Sequence, residues 1–280
     1  MKILDGRLVK ENILSDLKKK VSVLDRSLGL TVIQIGKNIA SDIYVNQKRK
    51  MALELGYKFN YIKLDSDVSE EYILELIDRL NNDDMVDGIL VQMPIPKHFN
   101  WDIIRNRISP LKDVDGLTDI NLGRLVTDNT NSLYSCTAYA VMEMLNYYNI
   151  DVDGANVVVV GRSNLVGKPV FNLLINNNAT VTLCHSNTKD LASITSKADI
   201  LVVGVGKSNF ITKDMVKDGA VVIDVGVNMV DGKLCGDVKF NDVYDKVSYI
   251  TPVPFGIGQV TVAGLAKNVY KAYNIRKMLD

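Results

Sequence analysis

Histidine and cysteine are scarce in this 280-residue chain, with two and three copies respectively. Two histidines are too few for a histidine-rich metal centre. Cys136, Cys184 and Cys235 are scattered, odd in number and without zinc-ligand spacing. The sequence therefore points to no metal and no disulfide framework, which fits a reducing cytoplasm. Excess charge is missing too. Thirty-three basic and 33 acidic residues give a formal net charge of zero, so charge favours neither nucleic acid nor a membrane surface as partner. No apolar run reaches the length of a membrane span, and Met1–Lys10 lacks the apolar core of a signal peptide. There is no internal repeat and no low-complexity tract. The remaining composition, 47% hydrophobic and 24% charged, is that of an ordinary globular protein long enough for two domains.

Both halves of the chain alternate strand-like and helix-like segments, which predicts two α/β domains with mostly parallel sheets. In the first half the predicted strands are Leu30–Ile35, Lys58–Leu64 and Gly88–Val91. The predicted helices are Leu8–Leu28, Ile39–Leu55 closed by Gly56, Ser69–Leu80 with Ser69 as N-cap, and Trp101–Ile108. Lys18-Lys19-Lys20 reads as a solvated side of the first helix. Pro110–Thr130 is polar and turn-rich. A domain boundary is placed near its end, with Thr137–Tyr148 as a linking helix. In the second half, strands are expected at Val157–Val160, Thr180–Cys184, Ile200–Val203, Val221–Val225 and Tyr249–Thr251. Helices fit at Lys168–Asn176, Asp190–Ser196, Lys213–Val216 and Val262–Met278.

The most informative stretch is Ala155–Pro169. A β-branched run, Val157–Val160, ends at Gly161, and Gly167 opens a helix-compatible segment. That is the shape of a phosphate-binding βα turn, in which a helix N-terminus offers N–H groups and a positive dipole end to a pyrophosphate. The dinucleotide fingerprint is matched imperfectly: Gly161 and Gly167 are one residue too far apart, and Ser163 replaces the second glycine. A tight strand–helix turn of any α/β protein would also fit. An NAD-specific site usually places an acid after the next strand, but here His185-Ser186-Asn187-Thr188 follows, with no acid until Asp190. Arg162 and Ser186 would instead suit the 2′-phosphate of NADP, although Arg162 on a surface and His185 as a structural histidine read equally well. Gly204-Val205-Gly206, Asp224-Val225-Gly226-Val227-Asn228 and the loop Thr251–Gly258 lie at successive strand ends and together outline a dinucleotide crevice.

In the first half, Ser41, Tyr44 and Lys48 share one face of the second helix, extended by Met51 and Leu55. A lysine there either snorkels to solvent or is desolvated, with a lowered pKa that suits proton transfer. Gln92 ends a buried strand, where a polar side chain can point into a ligand crevice or simply shape the loop. Asp113 and Asp115 in Lys112-Asp113-Val114-Asp115-Gly116 would project together from an extended segment, or form an exposed turn before Gly116.

Taken together, these motifs resemble the bifunctional methylenetetrahydrofolate dehydrogenase/cyclohydrolase family, nearly end to end. The resemblance rests on Tyr44-Val45-x-x-Lys48, Asp87-Gly88-Ile89-Leu90-Val91-Gln92-Met93-Pro94-Ile95-Pro96 and Lys112–Gly116. It continues through Gly161-Arg162-Ser163-x-x-Val166-Gly167-x-Pro169, Ala179-Thr180-Val181-Thr182-x-x-His185-Ser186 and Ile250-Thr251-Pro252-Val253-Pro254. It implies oxidation of 5,10-methylenetetrahydrofolate with NADP, less readily NAD, followed by hydrolysis of the methenyl product to 10-formyltetrahydrofolate. It implies Lys48 as catalytic lysine, Gln92 as the residue that tunes it, Asp115 as the pterin-binding carboxylate and Tyr44 as pocket wall, with Ser41, Pro254 and Gly256 also on the substrate. The cofactor positions implied are Gly161, Arg162, Ser163, Val166, Gly167, His185, Ser186, Gly204, Val205, Gly226 and Val227. A folate domain of residues 1–134, onto which a last helix within 262–280 packs back, would face a Rossmann-like domain of 135–261 across a cleft, in a cytoplasmic homodimer. The chain departs from the family at Phe255 (usually glycine) and Gln259 (usually proline). It departs again at Ser135 and Ala138, where the family has Pro-Cys-Thr-Pro-x-Gly. Loss of one activity, or a non-catalytic folate- or nucleotide-binding role, are the competing readings.

Overall fold

The structure is a computed structural model that describes residues 3–279. The chain divides into two compact units, one of residues 13–136 with 262–279, the other of residues 3–12 with 137–261. The expected division placed residues 3–12 with the first unit. Backbone hydrogen bonds instead tie Leu4 to Ile250 and Gly6 to Phe255.

The first unit is built on a parallel sheet of β1 (Gly29–Ile35), β2 (Lys58–Leu64) and β3 (Gly88–Gln92), in the order β2-β1-β3. The central β1 is buried along its whole length, as its unbroken apolar run requires. The same unit holds α1 (Gly6–Val21) from Ile13 on, α2 (Ile39–Glu54), α3 (Glu70–Asn81), α4 (Trp101–Arg107) and α5 (Asp119–Val126). One core cluster joins Ile33, Ile35, Ile73, Ile77, Ile89, Val91 and Ile104. Ser69 caps α3 by accepting from Tyr72 N–H, and Gly56 takes the left-handed conformation that ends α2.

The second unit follows α6 (Cys136–Tyr147). It contains β4 (Asn156–Val160), α7 (Gly167–Asn176), β5 (Thr180–Cys184), α8 (Leu191–Thr195), β6 (Ile200–Val203), a 3₁₀ turn at Lys213–Met215 and β7 (Val221–Asp224). After these come a hairpin of β8 (Asn228–Val230) and β9 (Lys233–Cys235), then α9 (Phe240–Val243) and β10 (Tyr249–Ile250); α10 (Ile257–Lys277) follows and from Val262 on belongs to the first unit. The five-stranded sheet runs β10-β7-β6-β4-β5, all parallel. The chain winds one way from β4 to β5 and the other way from β6 onward. The switch therefore falls between β4 and β6, where open α/β sheets bind ligands at the carboxyl ends of strands.

Several expected elements differ. α1 stops at Val21, because residues 22–27 turn before Leu28 enters the core. The turn-rich stretch before the boundary contains α5, capped by Thr118 and anchored by the buried Asn121 and Leu125. α10 begins at Ile257 rather than Val262: burial of Ile257 and Val260 outweighs the poor helix propensity of Gly258 and the β-branched residues. The hairpin and α9 were not expected.

Candidate active site

Lys48 lies on α2, half-buried, between the buried Val45 and Met51. Its Nζ donates to Gln92 Oε1 at 2.6 Å. Gln92 ends β3, in register with Gln34 of β1, and its Nε2 donates to the Met93 carbonyl at 2.7 Å. That second bond commits the amide nitrogen and leaves the oxygen for the ammonium. Burial pushes the Lys48 amine below its ordinary 10.5, opposed first by Asp115 and then by Cys136. Burial pushes the Asp115 carboxyl above 3.8, with Lys48 opposing. Desolvation thus drives both groups toward their neutral forms. Ser41 is buried and donates to the Met93 carbonyl at 3.3 Å, whereas Tyr44, one turn before Lys48, is exposed. The helix face read as one surface is therefore buried at its ends and open at Tyr44. A cavity of about 750 Å³ opens at the carboxyl ends of β1, β2 and β3, lined by Lys37, Asp65, Pro94 and Pro96 among others. Lys48 and Asp115 do not line it.

The Lys112–Gly116 motif divides its work residue by residue. Lys112 Nζ donates to the Leu80 and Asp83 carbonyls at 3.1 and 2.7 Å, closing the end of α3, and burial pulls its pKa down to about 8. Asp113 accepts from the N–H groups of Gly116, Leu117 and Thr118, at 3.0, 3.3 and 2.8 Å, and from Asn121 Nδ2 at 2.9 Å. The turn reading of Asp113 holds, but the turn is buried, and its carboxylate is taken up by these donors. Val114 fills the space over Gly88, whose absent Cβ would lie 2.6 Å from Val114 Cγ1. Gly116 has φ +68°, and a Cβ there would meet the Tyr134 carbonyl carbon at 2.4 Å. Asp115 is the carboxylate of the motif that acts on Lys48. Among the described residues no cluster of His, Cys, Asp and Glu could hold a metal.

In the second unit Gly161 and Gly167 have steric reasons to be glycine. Gly161 has φ +121°, and its Cβ would lie 2.3 Å from the Gly204 carbonyl oxygen. A Cβ on Gly167 would meet Gly161 O at 1.9 Å. The ends of β4 and β6 therefore touch backbone to backbone at the switch point. Ser163 Oγ accepts from Val166 N–H at 3.1 Å, which shapes the turn, and Val166 at the N-cap of α7 has no polar side chain to cap it. Lys168 N–H donates to the Ser163 carbonyl at 3.1 Å and Pro169 has no N–H, so in the first turn of α7 the Gly167 N–H and the positive dipole end are what the turn can offer a dinucleotide pyrophosphate. Arg162 and Ser186 are exposed beyond the neighbouring strands β4 and β5. His185 is bound into a turn: its N–H donates to Thr188 Oγ1 at 2.8 Å and its Nδ1 accepts from Asn187 N–H at 3.2 Å.

Two acids not singled out from the sequence set the other strand-end loops. Asp237 accepts from the N–H groups of Val205, Gly206 and Lys207, at 2.6, 2.9 and 2.9 Å, and from Asn228 Nδ2 at 2.8 Å. Asp224 accepts from the N–H groups of Gly226, Asp237 and Val238, at 2.9, 3.0 and 2.8 Å, and burial raises its pKa to about 6. A Cβ at Gly226 would strike the Asp237 carboxylate, and one at Gly236 the Asp224 carboxylate. The signal in the sequence was two Asp/Gly pairs flanking the hairpin. Val227 is exposed beside Gly226. In the last loop Pro254 is exposed, while a Cβ on the buried Gly256 would meet Pro252 O at 2.4 Å. Phe255 adopts φ +83°, and the Arg7 guanidinium lies 4.7 Å from its ring centroid.

A Gly-built βα turn at the switch point of a parallel sheet defines a dinucleotide-binding α/β protein, here joined to a unit carrying a desolvated lysine. Residues 4–115 match the model of the tetrahydrofolate dehydrogenase/cyclohydrolase catalytic domain, and residues 135–277 match that of its NAD(P)-binding domain. The bifunctional protein FolD of Sulfurihydrogenibium sp. (strain YO3AOP1) is 49% identical over 100% of both chains. The bifunctional FolD enzyme of Campylobacter jejuni superposes with a TM-score of 0.96, at 42% identity over 99% of both chains. The FolD of Trypanosoma brucei, solved with NADP cofactor and inhibitor, gives a TM-score of 0.93, at 37% identity over 98% of both. The chain belongs to the tetrahydrofolate dehydrogenase/cyclohydrolase family.

Proposed function

We propose that the protein oxidises 5,10-methylenetetrahydrofolate to the 5,10-methenyl form with NADP, then hydrolyses that product to 10-formyltetrahydrofolate, within one-carbon metabolism. The observation that carries the proposal is the Lys48–Gln92 hydrogen bond beside Asp115, in a chain whose other unit carries the dinucleotide turn. NADP, when bound, accepts the hydride from the methylene carbon. Gly161, Gly167 and the start of α7 would hold its pyrophosphate, with Arg162 and Ser186 on the 2′-phosphate side. The NADP complex of the T. brucei relative supports the same choice.

Loss of hydride leaves an amidinium-like cation between two folate nitrogens. Asp115 would bind the pterin, and its effect on Lys48 would couple substrate binding to the lysine's charge. Hydration of the cation requires a proton to leave the attacking water and later a proton to reach the departing nitrogen. Lys48, with its lowered pKa, serves both transfers, and Gln92 holds its Nζ in place. Tyr44 and Ser41 line the approach from the same helix. The homodimer and the cytoplasmic setting belong to this proposal, and no described helix is long and apolar enough to cross a membrane.

The test follows methylene-folate oxidation with NADP and NAD in turn, and methenyl-folate hydrolysis separately. Turnover of both folates with a preference for NADP is expected. A strong preference for NAD would overturn the reading of Arg162 and Ser186. Ligand binding without turnover would leave a binding protein. Light scattering after gel filtration reads the dimer.

A further inference from the structure

Asn268 on α10 is 4% exposed, and its single amide nitrogen reaches two separate backbone segments. Nδ2 donates to the Val114 carbonyl at 2.9 Å and to the Tyr134 carbonyl at 2.7 Å. The Val114 carbonyl belongs to the peptide that begins Asp115. Tyr134 stands two residues before Cys136, whose thiol also donates to the Val114 carbonyl, at 3.3 Å. Gly116 and Tyr134 are already backbone to backbone. Asn268 is thus the clasp across the two segments that carry Asp115 and Cys136, the groups that act electrostatically on Lys48. The helix bearing the clasp is fixed independently. Its next residue, Val269, is fully buried against the site of the missing Gly88 side chain, and Lys271 Nζ donates to the Ser132 carbonyl at 2.7 Å.

We propose that Asn268 is a positioning residue for the Lys48–Asp115 pair, through its two hydrogen bonds to the backbone on either side of that pair. This rests on the reading of Lys48 and Asp115 given above. Only an amide, or another group with two donors on one atom, satisfies both carbonyls at once. An alanine leaves both carbonyls without that donor and frees the Val114–Asp115 peptide to turn. Misplacement of about 1 Å in a catalytic group costs up to about 100-fold in rate.

The experiment measures methenyl-folate hydrolysis against pH for wild type, Asn268→Ala, Asn268→Ser and Lys48→Met, with NADP binding followed by its thermal shift. Asn268→Ala is expected to lose about 10- to 100-fold in kcat, with a displaced pH midpoint and an unchanged NADP shift. Asn268→Ser, which keeps one donor, falls between it and wild type. If Asn268→Ala does not fold, the serine variant carries the test. A wild-type pH profile and kcat in the folded variant, with Lys48→Met inactive, overturn the role of Asn268 and leave the site reading intact. An active Lys48→Met overturns both. Lys271→Met weakens the same helix contact and is expected to lower Tm without moving the pH midpoint.

Discussion

Lys48 and Gln92 come from different elements and meet head to head: Nζ on α2 donates to Oε1 at the end of β3, at 2.6 Å. The hydrogen bond favours the charged amine, whereas burial favours the neutral one, and burial is the larger effect. The neutral fraction of Lys48 grows with pH, so hydrolysis of methenyl-folate should rise through a midpoint below 10.5. Lys48→Met abolishes this limb. Gln92→Met removes the acceptor from the ammonium, lowers the lysine pKa further and moves the limb to more acid pH. A pH–rate series in a spectrophotometric assay reads all three enzymes. Full hydrolytic activity in Lys48→Met would refute the assignment.

The two carboxylates of Lys112–Gly116 separate stability from activity. Asp113 holds three backbone N–H groups and the Asn121 side chain. Asp113→Ala leaves these donors buried and should cost about 3 kcal/mol or more in urea unfolding. Asp115→Asn keeps the shape and relieves a desolvated charge. It should unfold within about 1 kcal/mol of wild type and yet lose most of its activity. The opposite pattern would show that the roles are exchanged.

Gly167→Ala tests the cofactor turn in isolation. The added methyl would press on the Gly161 carbonyl oxygen. The KM for NADP should rise by about tenfold or more, whereas hydrolysis of methenyl-folate, which needs no cofactor, should persist. Equal loss of both activities would indicate a global defect.

Phe255 occupies a left-handed backbone position with Arg7 over its ring. That conformation costs an L side chain roughly 1–2 kcal/mol, and an exposed cation–π contact offsets about 0.5–1. Phe255→Gly removes both effects and should be near neutral in stability. Phe255→Ala keeps the strain without the contact and should be less stable than the glycine variant by about 1 kcal/mol. Thermal melts of the two variants, side by side, decide it.

Asp224 makes stability depend on pH. Its folded pKa of about 6 lies above the usual 3.8, so between these values the folded state holds the proton that the unfolded state releases. Its contribution therefore falls as pH rises from about 4 to 6 and is constant above. With one pKa unit worth about 1.4 kcal/mol, the span is up to about 3 kcal/mol. Urea melts of wild type and Asp224→Asn across this range should differ in slope, with wild type losing the more stability as pH rises.

The pairing of Lys48 with Gln92 rested on the family resemblance; the sequence alone determined the alternation of strands and helices, the Gly161–Gly167 turn, and the separate places of Lys48 on a helix face and Gln92 at a strand end. Each depends on local spacing, which period and glycine geometry make readable. It did not disclose α5, whose eight residues carry a glycine and only two buried anchors, because so short a helix takes its stability from packing. Nor did residue spacing separate Asp113 from Asp115, which only the family resemblance set apart, reveal Asp224 and Asp237 as holders of loops, or connect Asn268 with Val114. Those roles depend on which backbone N–H or carbonyl lies within 3 Å of a side chain from far along the chain. Only the tertiary structure decides that, since a buried polar group must find its partner wherever packing places one.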